Sequence, residues 1–329
     1  MQRVRVRLSI RPWRLLALAL VVAGLSLGMF GSDRLPRYNR SSEFTLTQLT
    51  VEGDRQGNVS LAGVWHMTST DLRLGSYSAL AARPRGRLMA YADSGWWLSF
   101  VPPGNGRPME ARFGSNADPY YDPAYDIESA ARDPATGFTW LGVEGTNQIR
   151  RYDARDQFAG RIAPPAMADF RVNGGAEAMT RLPDGRFLVL AEDSAWRTPL
   201  KRVGLMFPRD PLKGDPPIEF AFCPPLGFDP TEMAALPDGR VLILMRAIAP
   251  SLRGFFASRI LIADSRDIAA GKTWPWRELV DVNALAPPEN YEGMVAVPEG
   301  KHTTIWLISD ANKSVRLQRT LLVKLVWKE

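Results

Sequence analysis

The chain has 329 residues, 45% of them hydrophobic, which allows a large core in one repeat-built domain or in two ordinary ones. Its net charge of +6 rests largely on Arg3, Arg5, Arg7, Arg11 and Arg14; setting these five aside from 41 cations leaves 36 against 35 acids, which excludes a nucleic-acid footprint. The single cysteine, Cys223, excludes an intramolecular disulfide framework.

In chain order, the arginine-rich start runs into an apolar stretch at 15–31, LLALALVVAGLSLGMFG. That pattern is a signal peptide or an N-terminal membrane anchor over 1–31. Its length is at the lower limit for crossing a bilayer, roughly 17–25 residues. In either case the positive-inside rule leaves the arginines in the cytoplasm and carries the rest out. The expected location is the periplasm or the exterior, with residues 15–31 holding the chain to the inner membrane where the leader is kept. Residues 32–42, SDRLPRYNRSS, carry no pattern and read as a linker, so the domain is 43–329.

From residue 77 onward one phrase recurs five times: an apolar strand, a turn at a proline, a second apolar strand, then a charged residue. The copies are YSALAARPRGRLMAYAD (77–93), ESAARDPATGFTWLGVE (128–144), EAMTRLPDGRFLVLAE (177–192), TEMAALPDGRVLILMR (231–246) and EGMVAVPEGKHTTIWLISD (292–310). Their prolines, Pro84, Pro134, Pro183, Pro237 and Pro298, lie 50, 49, 54 and 61 residues apart, a period that suits the blade of a β-propeller. Pro-Asp-Gly between apolar runs supplies the fixed φ of a turn start and the positive φ of its end, so each copy reads as a β-hairpin. Both strands are apolar at nearly every residue, as in RFLVLAE, which requires burial on both faces.

The more polar runs NQIRRYD (147–153), KRVGLMF (201–207) and SRILIAD (258–264) fit outer strands. Three further strand-like pieces, at 43–53, 63–69 and 319–329, lie near the ends of the domain. The fold expected is all-β: a propeller of six blades, with five as the alternative, its ring closed by strands from both termini. A pair of stacked β-sandwiches would also give many short strands, but needs no repeat at a near-constant interval.

In a hairpin, the residue opening the first strand and the residue closing the second meet at the open end. Aligned on the turn proline, the opening residues are Ser78, Glu128, Glu177, Thr231 and Glu292, and the closing residues are Asp93, Glu144, Glu192, Arg246 and Asp310. One strand-end acid needs no functional account. Seven acids in ten equivalent positions do, because clustered carboxylates either raise each other's pKa or require a cation. The expected metal ligands are Glu128, Glu144, Glu177, Glu192, Glu292 and Asp310, with Asp93 and Asp126 also on the rim. Oxygen ligands without Cys or His suit a hard ion, Ca²⁺ or Mg²⁺, rather than zinc.

The segment NADPYYDPAYDIE (116–128) adds Asp118, Asp122 and three tyrosines to the same rim, as ligands or as a simple turn-rich connection. Asn173-Gly174-Gly175 reads either as a close backbone approach to a ligand or as a turn. No GxSxG elbow, HExxH helix, phosphate loop or GxGxxG turn occurs, so no organic cofactor is expected. With only His66 and His302 in the chain, catalysis would fall to Glu177 and Glu192 as base or holder of an activated water, with Arg246 facing developing negative charge.

The phrases DIESAARDP, NGGAEAMTRLPDG, FDPTEMAALPDGRVLIL and NYEGMVAVPEG resemble the motifs of the phytase-like family of exported bacterial propellers, over roughly residues 60–329. The resemblance implies a hydrolase of ester or phosphoester bonds, with Glu128, Glu177 and Glu292 as family rim positions. Ser78 and Thr231 interrupt the acidic ring. A substrate bearing many phosphates would be repelled by such a rim unless cations bridged it. The partners expected are therefore a small ester, a phosphoester or a cationic ligand, for a monomer that meets membrane only through its N-terminal segment. A non-catalytic ligand- or protein-binding propeller and a lactonase-like calcium propeller are the alternatives.

Overall fold

The computed structural model describes residues 43–104, 106–115, 126–171, 174–192, 200–251, 254–312 and 318–329. The leader and the linker expected at 1–42, and Asp118, Asp122, the three tyrosines and Asn173, lie outside them. Among the described residues no helix is long and apolar enough to cross a membrane.

The strands in chain order are β1 (Phe44–Leu49), β2 (Arg55–Gln56), β3 (Val59–Ser69), β4 (Tyr77–Arg83), β5 (Arg87–Ala92), β6 (Trp96–Phe100), β7 (Ala111–Ser115), β8 (Ile127–Arg132), β9 (Thr139–Val143), β10 (Gln148–Tyr152), β11 (Phe158–Ile162), β12 (Ala178–Arg181), β13 (Phe187–Leu190), β14 (Arg202–Phe207), β15 (Ile218–Phe222), β16 (Asp229–Ala235), β17 (Arg240–Ile248), β18 (Phe256–Asp264), β19 (Thr273–Trp274), β20 (Arg277–Asp281), β21 (Tyr291–Glu299), β22 (His302–Ser309) and β23 (Leu321–Lys328). They form five separate sheets, and no sandwich. Four are built on three or four consecutive strands: β4 to β7, β8 to β11, β12 to β15 with β19 added in parallel, and β16 to β18 with β20.

The fifth sheet runs β21, β22, β23, β3, β1, with β2 paired to β3. It joins the last hairpin to the C-terminal strand and then to two strands from the start of the domain. The ring is therefore closed by both termini, as expected, but there are five blades rather than six. The pieces at 43–53, 63–69 and 319–329 are the outer strands of the last repeat's own blade. That repeat has only β23 after it in sequence, so its remaining outer strands come from the other end.

Each expected hairpin forms, and Gly185 and Gly239 close their Pro-Asp-Gly turns at φ of 95° and 91°, where a side chain would be strained. The innermost strands β4, β8, β12, β16 and β21 touch one another in a closed cycle. Because every blade is covered on both sides, alternate residues of one strand enter different cores. In β17, Leu242 and Leu244 pack toward β21 to β23, while Val241, Ile243 and Met245 pack toward β12 to β15. Five such clusters fill the five junctions between neighbouring blades. The uninterrupted apolar runs of the repeat thus have a two-sided hydrophobic cause.

Candidate functional site

The open ends of the inner hairpins gather at one mouth of the ring. Just inside it, four of the five innermost strands carry a β-bulge at the opening position, at Ser78, Glu128, Thr231 and Glu292. In the remaining copy Glu177 immediately precedes β12, and its N–H donates to the Gly175 carbonyl at 3.0 Å. A bulge leaves a residue out of the ladder and re-aims its side chain. Here the same device recurs around the axis and brings side chains of separate blades together.

Arg246, at the top of β17, is the cation of this mouth. Its guanidinium donates to Glu292 at 2.6 Å, to Glu192 at 2.8 Å and to the Asn290 Oδ1 at 3.1 Å. Asn290 in turn donates to Glu292 at 2.9 Å and lies 3.5 Å from Asp310. Burial opposes the charge on Arg246, but Glu292 and Glu192 more than offset it, and its pKa is raised. Burial also drives the Glu292 carboxyl up to about 8, with Arg246 working against that shift and Asp310 adding to it. Glu192 is raised as well, by burial first, in opposition to Arg246.

The other half of the mouth contains carboxyls without such a partner. Glu144 accepts the backbone N–H groups of Gly174 and of Gly175, the latter at 3.1 Å. Glu144 also acts on the Glu177 carboxyl and raises its pKa. Burial, followed by the charges of Glu192 and Glu144, holds Glu177 well above the usual carboxylate range. Glu128 is raised in the same way, by burial and then by Glu177, Glu292, Asp126 and Glu144. Acids of three hairpins, Glu128 and Glu144, Glu177 and Glu192, and Glu292 with Asp310, thus act on one another's ionisation.

Oxygens of Asp126, Glu128 and Glu144 all lie within 4.8 Å of one another. Two ligands of a hard cation, each at 2.3–2.6 Å, stand no more than about 5 Å apart, so this trio fits Ca²⁺. Of the other expected ligands, Glu177 has its pKa raised by Glu144 of the trio, whereas Glu192 and Glu292 are engaged by Arg246. Asp310 turns one oxygen to the N–H of Asn312 at 2.7 Å. Asp93 accepts the N–H of Ser94 in its own turn.

Two residues escaped the sequence reading. Asn290, two positions before Glu292, locks the arginine, and an isolated asparagine carries no signal. Glu232 follows the rim position Thr231 and is fully buried. Its signal was available: the matching residues of the other copies, Ala79, Ser129, Ala178 and Gly293, are all small.

A family model described as phytase-like, esterase-like activity of phytase, matches residues 29–313. Comparison with curated proteins gives no match. Among solved structures, the Holo form of the pyranose dehydrogenase PQQ domain from Coprinopsis cinerea aligns at 12% identity and TM-score 0.41, over 88% of this chain and 98% of that one. Hydrazine synthase of Kuenenia stuttgartiensis aligns at 12% identity and TM-score 0.40, over 73% of this chain. The Cps50 (Swd1) β-propeller domain of Myceliophteria thermophila aligns at 11% identity and TM-score 0.36, over 72% of this chain. The chain spans 58% of the hydrazine synthase chain and 66% of the Cps50 domain, and similarities this remote carry no chemistry across. The family match covers most of the sequence, and the chain belongs to the phytase-like family.

Proposed function

We propose that this phytase-like propeller is an exported hydrolase of an ester or phosphoester bond, working with a hard divalent cation, Ca²⁺ foremost, at its acidic mouth. The observation that carries the reading is the meeting of Asp126, Glu128 and Glu144 oxygens within 4.8 Å beside a clamped arginine. These three carboxylates would hold the cation. When bound, it supplies Lewis-acid polarisation of the substrate oxygen and a more acidic water.

The protein's own groups do the rest. Glu177, raised in pKa by burial and by Glu192 and Glu144, is the residue we assign to move a proton. As its carboxylate it takes the proton of the attacking water while the new bond to carbon or phosphorus forms. It then returns that proton to the leaving oxygen as the ester bond breaks. Arg246, held by Glu192, Glu292 and Asn290, stays charged and faces the negative charge that develops on the attacked centre. A lactone, as a cyclic ester, falls within this class.

A second reading has an observation of its own. Seven carboxyls, Asp126, Glu128, Glu144, Glu177, Glu192, Glu292 and Asp310, share a mouth with Arg246, and that balance favours a cationic ligand held without turnover. Glu177→Gln with Glu192→Gln separates the two. The test is turnover of ester and phosphoester panels in Ca²⁺, together with calorimetric titration of small amines. Loss of turnover in a folded double variant supports the hydrolase. Absence of turnover in the wild type, with amine affinity lost in the variant, supports the binder and removes the hydrolase.

A further inference from the structure

Large apolar side chains in solvent are unevenly shared between the two faces of the ring. Among the described residues, Met109, Phe158 and Ile218 are exposed at the turn end, where Met109 precedes β7 and the other two open β11 and β15. Leu72, Leu200, Leu226, Ile248 and Phe255 are exposed at the mouth end. Leu72 follows β3, Leu200 precedes β14, Leu226 joins β15 to β16, and Ile248 and Phe255 flank the tip of the β17–β18 hairpin. Leu226, Ile248 and Leu72 are 86%, 78% and 71% exposed, against at most 58% at the turn end. A single exposed leucine needs no account, but several on one face mark a surface that something covers.

The β17–β18 hairpin is built to reach outward. β17 runs on past Arg246 to Ile248, which pairs with Phe256, adding two residues or roughly 7 Å of strand beyond the rim. Past that pair the Ala249 N–H donates to the Phe255 carbonyl at 2.7 Å and the Ser251 N–H to the Gly254 carbonyl at 2.8 Å. Backbone groups are thus bonded within the finger while its two apolar side chains face water.

The chain indicates what covers this face. Phe44 at the start of β1 pairs with Ser69 at the end of β3, which is the mouth end. The Glu43 carbonyl is tied there, accepting the Ser69 hydroxyl at 2.7 Å and the Thr70 N–H at 3.2 Å. The apolar stretch 15–31 therefore joins the domain from the mouth side through residues 32–42, which span at most about 40 Å. A bilayer that holds this stretch lies within reach of the exposed loops. The carboxyls among those loops suit headgroups that carry an ammonium group and repel an anionic surface.

We propose that the mouth face is a membrane-docking surface, whose loops at Leu72, Leu200, Leu226, Ile248 and Phe255 enter the headgroup region of a zwitterionic bilayer. Contact with lipid is then not confined to the N-terminal segment, and the acidic mouth opens toward the headgroups. Docking of this kind is independent of whether the mouth turns over a substrate.

The test uses the full chain in a Cys223→Ser background, with a fluorophore at Leu72→Cys, Leu226→Cys or Ile248→Cys on the mouth face, or at Phe158→Cys or Ile218→Cys at the turn end. Each is mixed with vesicles of phosphatidylethanolamine and phosphatidylcholine that carry brominated acyl chains. Mouth labels should be quenched at least about five-fold more than turn labels, since interfacial side chains enter only about 5–10 Å. Leu226→Ser, Ile248→Ser and Phe255→Ser together should abolish quenching of the label at Leu72→Cys. Because these side chains are exposed, the triple variant should melt within about 2 °C of the wild type. Equal quenching at both ends, none at the mouth, or quenching that survives the triple variant would overturn the proposal. A lipid-free dimer with its mouth labels shielded would assign the face to a second copy and overturn it too.

Discussion

The two ends of the same inner hairpins carry charge in opposite ways. At the turn end, acids pair with nearby arginines: Asp184 with Arg186 at 2.8 Å, Asp238 with Arg240 at 2.6 Å and, at the end of the adjoining outer strand, Asp264 with Arg266 at 2.6 Å. Surface pairs of this kind hold a turn and little else. At the open end, Arg246 serves Glu192 and Glu292, and among the described residues Asp126, Glu128, Glu144 and Glu177 make no ion pair. An acid that brings its own counter-charge is complete. The mouth is not, and protons or an external cation must make up the difference.

The comparison breaks most easily at Arg246. Arg246→Met leaves Glu192 and Glu292 half-buried without their cation, and removing one partner of a buried pair typically costs about 3 kcal/mol. The melting temperature should drop by roughly 5–10 °C, and turnover or ligand affinity should disappear. Arg266→Met at a turn should move it by under about 2 °C. Scanning calorimetry of both variants checks the contrast, and equal losses would mean that the mouth is only another surface pair.

Cation binding sharpens the same point. Calcium at about 100 times its dissociation constant should raise the melting temperature by roughly 5 °C and release protons, since Glu128 and Glu177 must ionise near it. Titration calorimetry in two buffers of different ionisation enthalpy counts those protons. Glu144→Gln should abolish both effects, because it removes one oxygen of the trio and the partner of Glu177. The turn-end acids should give no such response.

A third expectation follows from the direction of the shifts. Glu292 is lifted from its usual value to about 8, and Glu128, Glu177 and Glu192 are lifted too, so the folded protein holds more protons than the unfolded chain between roughly pH 4.5 and 8. Stability contributed by the mouth is then full below that window and lost as pH rises through it. In chelator, the melting temperature should decline by about 3–5 °C from pH 5 to pH 8, and saturating Ca²⁺ should flatten the decline. A rise with pH in chelator would remove the argument for a strained acidic cluster.

Much of this was legible because the repeat is a physical requirement. A strand covered on both sides must be apolar throughout, and a hairpin must end in a turn that only certain residues make. RFLVLAE and LPDG therefore announce β13 and its turn, and the turn prolines align the rim. Blade number was not legible. Terminal strands such as β1 and β23 have no partner nearby in sequence, and local pattern cannot say whether two distant strands begin a new sheet or finish an old one. The candidate rim residues could be read because equivalent positions repeat. Asn290 could not, because it occurs in one copy alone, and Glu232 stands out only against the small residues that fill its position in the other copies.

The smallest effect concerns the turn end itself. Hydrogen bonds from Arg266, donated by Nε and Nη2 of its guanidinium and by its backbone N–H, hold the Asp264 carboxyl down to about 2. A depressed carboxyl contributes stability above its unfolded value near pH 4, and that contribution is lost as pH falls toward 2. Asp264→Asn should therefore melt under about 2 °C below the wild type at pH 7, with the gap closing by pH 2.5. Its pH slope runs opposite to that of the mouth. Measured side by side with Glu292→Gln, which should lose part of the decline between pH 5 and 8, the pair tests whether one hairpin architecture keeps a balanced end and an unbalanced one. If both variants shift the same limb of the stability profile, the two ends are not electrostatically separate, and the acidic mouth loses its claim to a function of its own.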